Sequence, residues 1–167
     1  DAGGIDRAMH VFSGTIVGIQ DITIRNGKAT DGSGPLSCGR YDFEGSCDGE
    51  PGGGIYNSGR LTITNTDIIQ NHGGDGARIE GYYIECPEPG GAGGAGGGIF
   101  HQGDIILYTS RVISNAAGAD GSCDRYQNGN GGNGGGIANV NGRLTLYRSL
   151  VAANQAVSRK DWATIWT

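Results

Sequence analysis

The chain is poor in lysine, in charge and in long apolar runs. Among its 167 residues only Lys28 and Lys160 are lysines, charged residues make up 17%, and the formal net charge is −5. An acidic chain without a basic cluster argues against nucleic acid and anionic membranes as partners. No apolar run reaches the length of a membrane span. The composition predicts one domain, and a start at Asp1 without Met predicts a processed product or a piece of a longer chain.

Glycine is abundant, with 35 residues, and much of it lies in a repeated phrase. The phrase reads GGGIYNSGRLTITNTDIIQN at 52–71, GGGIFHQGDIILYTSRVISN at 96–115 and GGGIANVNGRLTLYRSLVAAN at 134–154. A weaker copy, TIVGIQDITIRNG, lies in 1–27 and has Gly27 in place of the final asparagine. Repeats at a fixed period are typical of solenoids, so the sequence predicts about four stacked coils.

Each copy alternates apolar and polar residues, as in Leu61-Thr62-Ile63-Thr64, which predicts a strand with one buried face. A turn at Asn65-Thr66 and a further short strand follow, and the GGGI segment carries another strand. Stacking then places like side chains above like. The recurring asparagines are predicted to sit at left-handed corners and to hydrogen-bond from coil to coil; they are Asn71, Asn115 and Asn154.

These motifs carry a family resemblance. The Gly-Gly-Gly-Ile-Tyr-Asn phrase and its sequels resemble the GGA(I/L) and FxxN repeats of chlamydial polymorphic outer-membrane proteins. They resemble equally the GGGIYNSGTLTLTNSTISGN repeats of many bacterial surface and secreted proteins. The resemblance covers about residues 14 to 155 and implies an all-β, right-handed parallel β-helix of the pectate-lyase type, exported to the cell surface or beyond. Because such scaffolds carry many functions, it implies no particular chemistry.

Long insertions interrupt the repeats at one position, between the asparagine (or Gly27) and the next glycine triplet. Insertions at a fixed column of a solenoid emerge at one corner, so the loops are predicted to stand side by side. The predicted organisation has an N-terminal coil or cap at 1–27, loops at 28–51, 72–95 and 116–133, and a C-terminal cap or docking segment at 155–167. The last segment carries three large apolar residues: Trp162, Ile165 and Trp166.

All four cysteines lie in the loops, which predicts disulfides in an oxidising compartment. Three pairings are possible, and we favour Cys38–Cys47 within the first loop and Cys86–Cys123 between adjacent coils. Four free thiols are the alternative.

The loops also carry arginine and tyrosine, a combination that suits a contact surface for a protein or a sugar. The candidate binding residues are Arg40, Tyr41, Arg78, Tyr82, Tyr83, Arg125 and Tyr126. In the alternative interpretation the tyrosines only cover glycine-rich loops and the arginines pair with nearby acids. A cluster of acids in the first loop is either a solvated loop or a calcium site; it comprises Asp42, Glu44, Asp48 and Glu50.

The sequence therefore favours a non-catalytic, exported structural and binding module, adhesin-like or part of an assembly. Its partners would be a protein, a second copy docked at the solenoid ends, or a carbohydrate, and no cofactor is expected apart from calcium. The alternative is a polysaccharide lyase or glycosidase, for which Arg78 or Arg125 would be required. The outward strand positions favour the first interpretation, because they lack a carboxylate pair or a lysine; they are Thr62, Thr64, Ile106, Tyr108, Thr145 and Tyr147.

Overall fold

A computed structural model describes residues 1–33, 47–78, 90–122 and 129–157. All regular structure in these ranges is β-strand, arranged as four coils of three strands. The strands of the first two coils are β1 (Met9–Val11), β2 (Ile16–Gln20), β3 (Thr23–Arg25), β4 (Ile55–Asn57), β5 (Arg60–Thr64) and β6 (Asp67–Ile69). Those of the last two are β7 (Ile99–His101), β8 (Asp104–Tyr108), β9 (Arg111–Ile113), β10 (Ile137–Asn139), β11 (Arg143–Tyr147) and β12 (Leu150–Ala152).

Corresponding strands of successive coils form three parallel sheets in register. Sheet A has the order β1-β4-β7-β10, sheet B β2-β5-β8-β11 and sheet C β3-β6-β9-β12. The register pairs Leu61 with Ile105 and Ile105 with Leu144, which is the alignment of the repeated phrases. The chain is therefore a right-handed parallel β-helix of about four coils, as predicted.

Aliphatic stacks fill the space between the three sheets. Inward-facing residues of the two middle coils have no exposed surface; among them are Ile55, Leu61, Ile63, Ile68, Ile99, Ile105, Leu107 and Val112. Burial of one such side chain stabilises the fold by about 1.5–3 kcal/mol. In the end coils most of these columns are only half-buried, with Leu146 44% exposed, although Ile24 is 5% exposed. Stability is thus concentrated in the middle of the solenoid.

The predicted asparagine column forms a hydrogen-bonded ladder along the axis. Asn115 Oδ1 accepts the backbone N–H of Asn71 at 2.9 Å, and Asn154 Oδ1 accepts that of Asn115 at 2.9 Å. Asn71 Oδ1 accepts the N–H of Gly27, so glycine begins the ladder where the asparagine is missing. Each side chain in this way satisfies a buried backbone donor of the preceding coil.

The prediction that these asparagines occupy the left-handed corners is wrong. The positive φ belongs to the residue before each asparagine in the three repeats, with Gln70 at 56°, Ser114 at 56° and Ala153 at 52°. Those three side chains are exposed, whereas Asn71 and Asn115 are 1% exposed. The turn thus directs the asparagine inward, where its amide reaches the neighbouring coil.

Candidate functional site

The bases of the three insertions pack together at the corner between sheets C and A. We call these six segments the glycine stems; they are residues 28–33, 47–52, 72–78, 90–95, 116–122 and 129–133. Each insertion leaves the solenoid along one stem and returns along the next. The stems contain no strand, yet backbone hydrogen bonds join all of them.

One ladder of hydrogen bonds crosses all six stems. Gly132 N–H donates to Gly118 O, Gly118 N–H to Gly94 O and Gly94 N–H to Gly74 O, at 2.9, 2.9 and 2.7 Å. Gly74 N–H donates in turn to Glu50 O, and Glu50 N–H donates to Thr30 O, both at 2.9 Å. The ladder alternates between outgoing and returning stems and so fixes the lateral order of the insertions.

A second ladder of hydrogen bonds runs beside the first. In each stem that both ladders cross, its residue is three positions along the chain from the residue of the first ladder. Gly121 N–H donates to Gly91 O at 2.8 Å, and Ala77 N–H donates to Cys47 O at 2.8 Å. A three-residue period is typical of a polyproline II helix and differs from the two-residue period of a strand. A polyproline II helix has no internal hydrogen bonds, so its backbone groups bond to neighbouring segments. The stems therefore form a second packed layer beside the three sheets.

Close approach of backbones explains the glycines of this layer. A Cβ on Gly91 would lie 1.7 Å from Cys47 O, and one on Gly118 would lie 1.8 Å from Gly74 O. Neither glycine has a positive φ, so space rather than conformation demands them. By contrast, the first glycine of each triplet does turn a corner, as Gly52 does with φ of 74°.

Charged side chains connect neighbouring stems near the sheets through ion pairs and a hydrogen bond. Lys28 Nζ lies 3.0 Å from both Asp31 Oδ1 and Asp75 Oδ2, and Asp75 Oδ1 accepts the N–H of Ala119 at 2.8 Å. Burial alone would raise the pKa of the Asp75 carboxyl, but the Ala119 N–H and Lys28 outweigh it and hold that pKa below its usual value. Burial likewise opposes the charge of Lys28, yet its two carboxylate partners raise its pKa.

Of the predicted binding residues, the structure places Arg78, which is exposed at the end of the second outgoing stem. The others lie outside the described residues; they are Arg40, Tyr41, Tyr82, Tyr83, Arg125 and Tyr126. The predicted docking residues Trp162, Ile165 and Trp166 also lie outside them. The loop-face and docking assignments therefore stay predictions.

Cys47 lies in the first returning stem and is disulfide-bonded. The remaining cysteines lie outside the described residues, so the pairings Cys38–Cys47 and Cys86–Cys123 stay predictions. The backbone carbonyl of Cys47 accepts the Ala77 N–H, which ties the covalent crosslink to the hydrogen-bonded stems.

Two of the four calcium candidates have other roles. Asp48 Oδ1 accepts the N–H of Ala92 at 2.7 Å, and Glu50 forms an ion pair with Arg7. Asp42 and Glu44 lie outside the described residues. In the part of the chain that the structure describes, no group of three or more histidine, cysteine, aspartate or glutamate side chains is placed to hold a metal ion.

The outer face of sheet A carries a stack of rings. His10 and Tyr56 have ring centroids 4.7 Å apart, and Tyr56 and Phe100 have centroids 5.1 Å apart. The Arg7 guanidinium lies over Tyr56, with Cζ 5.1 Å from the ring centroid. Phe100 is 7% exposed and the Arg7 side chain 13%, whereas His10 at the other end of the stack is exposed. The stack is connected to the stems through the ion pair of Arg7 with Glu50.

The outer faces of sheets B and C carry side chains that the sequence alone did not single out. On sheet C, Asp67 pairs with Arg111, and this hydrogen-bonded pair lowers the pKa of Asp67. On sheet B, Asp104 lies between Arg60 and Arg143, with N–O distances of 3.7 and 3.5 Å. A signal was present in the sequence, since Arg60, Asp104 and Arg143 occupy one column of the aligned repeats.

Comparison of the chain with protein-family models, with curated proteins and with solved structures finds no match. The resemblance to surface-repeat proteins therefore stays a prediction. Among the described residues there is also no helix that is long and apolar enough to cross a membrane.

Proposed function

We propose that the chain is a non-catalytic structural and binding module of the cell surface or extracellular space. In this proposal the β-helix is a rigid support, and the segments between the glycine stems, 34–46, 79–89 and 123–128, contact a partner protein. A disulfide-bonded Cys47 supports an oxidising compartment, in which such bonds persist.

The observation that carries the proposal is the glycine stem layer. Its ladders hold the ends of three insertions side by side, for example Ala77 beside Cys47 and Gly121 beside Gly91. Fixing the ends of a loop lowers the conformational entropy that it loses on binding. A chain that only had to connect successive coils would not require eighteen or more inserted residues at the same corner each time.

The exposed and charged character of Arg78 agrees with a contact surface at the ends of the stems. The predicted contact residues on the neighbouring segments are the arginine–tyrosine pairs Arg40-Tyr41 and Arg125-Tyr126. Arginine and tyrosine are enriched where proteins bind each other, because a planar guanidinium and an amphipathic ring form several contacts at a small entropic cost.

The proposal is tested by replacing all residues except the cysteine in each of the three segments with a glycine–serine sequence of equal length, which keeps Cys38, Cys86 and Cys123 in place. Immobilised extracellular-matrix proteins serve as the probe, binding is measured by surface plasmon resonance, and Arg25→Gln on sheet C is the control. We expect the segment variants to lose binding at least about tenfold, which corresponds to 1.4 kcal/mol, with unchanged thermal unfolding. Full binding by the triple variant would contradict the proposal.

A further inference from the structure

The outer face of sheet B carries an exposed group of aromatic and cationic side chains on the side of the solenoid away from the stem corner. We call it the tyrosine–arginine face, and it comprises Arg60, Asp104, Tyr108, Arg143, Tyr147 and Arg148. All six lie on β5, β8, β11 or the turn after β11. The register of the sheet fixes the backbone positions of the five strand residues relative to one another.

Positive charge exceeds negative charge on this face. The Arg60 and Arg143 side chains are 63% and 77% exposed and share the single carboxylate of Asp104, at 3.7 and 3.5 Å. Arg148 is a third cation, also exposed. Three arginines against one aspartate leave a local excess of two positive charges on a chain whose net charge is −5. The guanidinium groups retain free donors for an anionic partner.

Two exposed rings lie beside these charges. Tyr108 and Tyr147 are 40% and 51% exposed, and their ring centroids are 5.7 Å apart at an interplanar angle of 60°. The Arg148 guanidinium lies over Tyr147, with Cζ 5.2 Å from the ring centroid. The exposed parts of these two rings offer apolar surface for the C–H face of a sugar ring.

The spacing of the groups follows the solenoid axis. Adjacent strands of a sheet are about 4.8 Å apart, so Arg60 and Arg143, two coils apart, are separated by about 10 Å. Hydroxyl groups of Thr62 and Thr145 lie between the arginine column and the tyrosine column on the same face. Anion partners, hydroxyl partners and rings thus lie along one face of the sheet, with an open groove at the arginine end that Arg60 and Asp104 help to line.

We propose that the tyrosine–arginine face binds a linear acidic polysaccharide. The arginines pair with sugar carboxylates, the tyrosines pack against sugar rings and the threonines bond to sugar hydroxyls. An extended polymer with about one charge per ring matches the low density of cations on this face. Nucleic acid fits less well, because its denser charge is repelled by the acidic remainder of the chain and needs more cations for neutralisation.

The test measures binding of polygalacturonate by isothermal titration calorimetry at low and at physiological salt, with neutral galactan as the uncharged probe. The double variant R143Q/R148Q and the variant Y147A remove the cations and one ring separately. Since all three side chains are exposed, the variants are expected to fold, which thermal unfolding checks. Arg25→Gln, an exposed arginine on sheet C, is the matched control.

We expect R143Q/R148Q to weaken polygalacturonate binding at least about tenfold, because charge-assisted hydrogen bonds are lost. Y147A is expected to weaken it about threefold to tenfold. Salt should weaken wild-type binding, and Arg25→Gln should leave it unchanged. Four outcomes overturn the proposal: no binding by the wild type at low salt, unchanged binding by R143Q/R148Q, equal binding of galactan, or tighter binding of single-stranded DNA.

Discussion

The two layers of this molecule are built on opposite principles. Between the three sheets, side chains such as Leu61 and Leu107 are fully buried and stabilise the coils through apolar contact. In the stems the contacts are made by the backbone, and glycines such as Gly91 and Gly118 leave no room for a Cβ. On three sides the coils are therefore joined by sheet hydrogen bonds and by the apolar side chains behind them, whereas at the fourth they are joined mainly by peptide groups.

The difference shows how each layer responds to change. An aliphatic core tolerates exchanges that preserve volume, since neighbouring side chains repack. A backbone ladder has no such freedom, because its spacing is set by hydrogen bonds, which are 2.7 to 2.9 Å long in the ladder that crosses all six stems. The stability of the sheet layer therefore depends on the hydropathy of its side chains, and that of the stem layer depends on having no side chain at the crowded positions.

The largest predicted effect comes from adding one methyl group to the stem layer. In Gly118→Ala the Cβ would lie 1.8 Å from Gly74 O and 2.7 Å from Gly94 N, both atoms of the ladder. We expect a loss of more than about 3 kcal/mol in the free energy of unfolding, the upper end of the cost of overpacking. Urea unfolding followed by circular dichroism measures it.

Gly18→Ala is the matched control for that variant. Gly18 lies on the exposed face of β2, no atom is within 4 Å of its Cβ position, and its φ is not positive. Its replacement is expected to change the unfolding free energy by less than about 1 kcal/mol, with either sign. Equal losses of unfolding free energy in the two variants would contradict the prediction, because they would show that the close approach of backbones at Gly118 adds no cost of its own.

A smaller effect is predicted at the joint between the layers. Asn115→Ala removes the acceptor of the buried Asn71 N–H and the donor to Ile68 O, which lies at 2.9 Å. We expect a loss of about 2–3 kcal/mol, because buried backbone groups are left without partners. The exposed turn residue Gln102→Ala should change stability by no more than about 0.5 kcal/mol. Equal losses would show that the asparagine ladder is not a stabilising element.

Hydropathy and repetition predict the first layer well. Because an apolar column must face inward in every coil, the alignment of Leu61, Ile105 and Leu144 determines strand, face and register together. The stem sequences show no alternation of apolar and polar residues. Their three-residue glycine pattern does not reveal which neighbouring stems accept their backbone hydrogen bonds. For the tyrosine–arginine face, the sequence predicts that Tyr108 and Tyr147 point outward, but the exposure of their rings and the position of the Arg148 guanidinium over Tyr147 come from the structure.

His101 tests whether the apolar layer tolerates a titratable group. It replaces asparagine in the column of Asn57 and Asn139, has no exposed surface, and in the described structure its Nε2 has no hydrogen-bond partner. Burial lowers its pKa from the ordinary 6.5, against the smaller opposing effects of Gly103 O and Asp104. The unfolded chain therefore binds a proton at a higher pH than the folded chain does, and stability falls as the pH drops below about 6.5.

We expect the unfolding free energy of the wild type to decrease, relative to that of His101→Asn, by no more than about 1.4 kcal/mol per pH unit between pH 7 and pH 5. Carboxylates that titrate in both proteins cancel in the difference, so the comparison isolates the imidazole. Parallel pH profiles would mean that the buried ring keeps its ordinary proton affinity. A wild type that gains relative stability at low pH would mean that the folded protein holds imidazolium against Asp104, and the aliphatic layer would then accommodate a charge as readily as the stem layer does at Lys28.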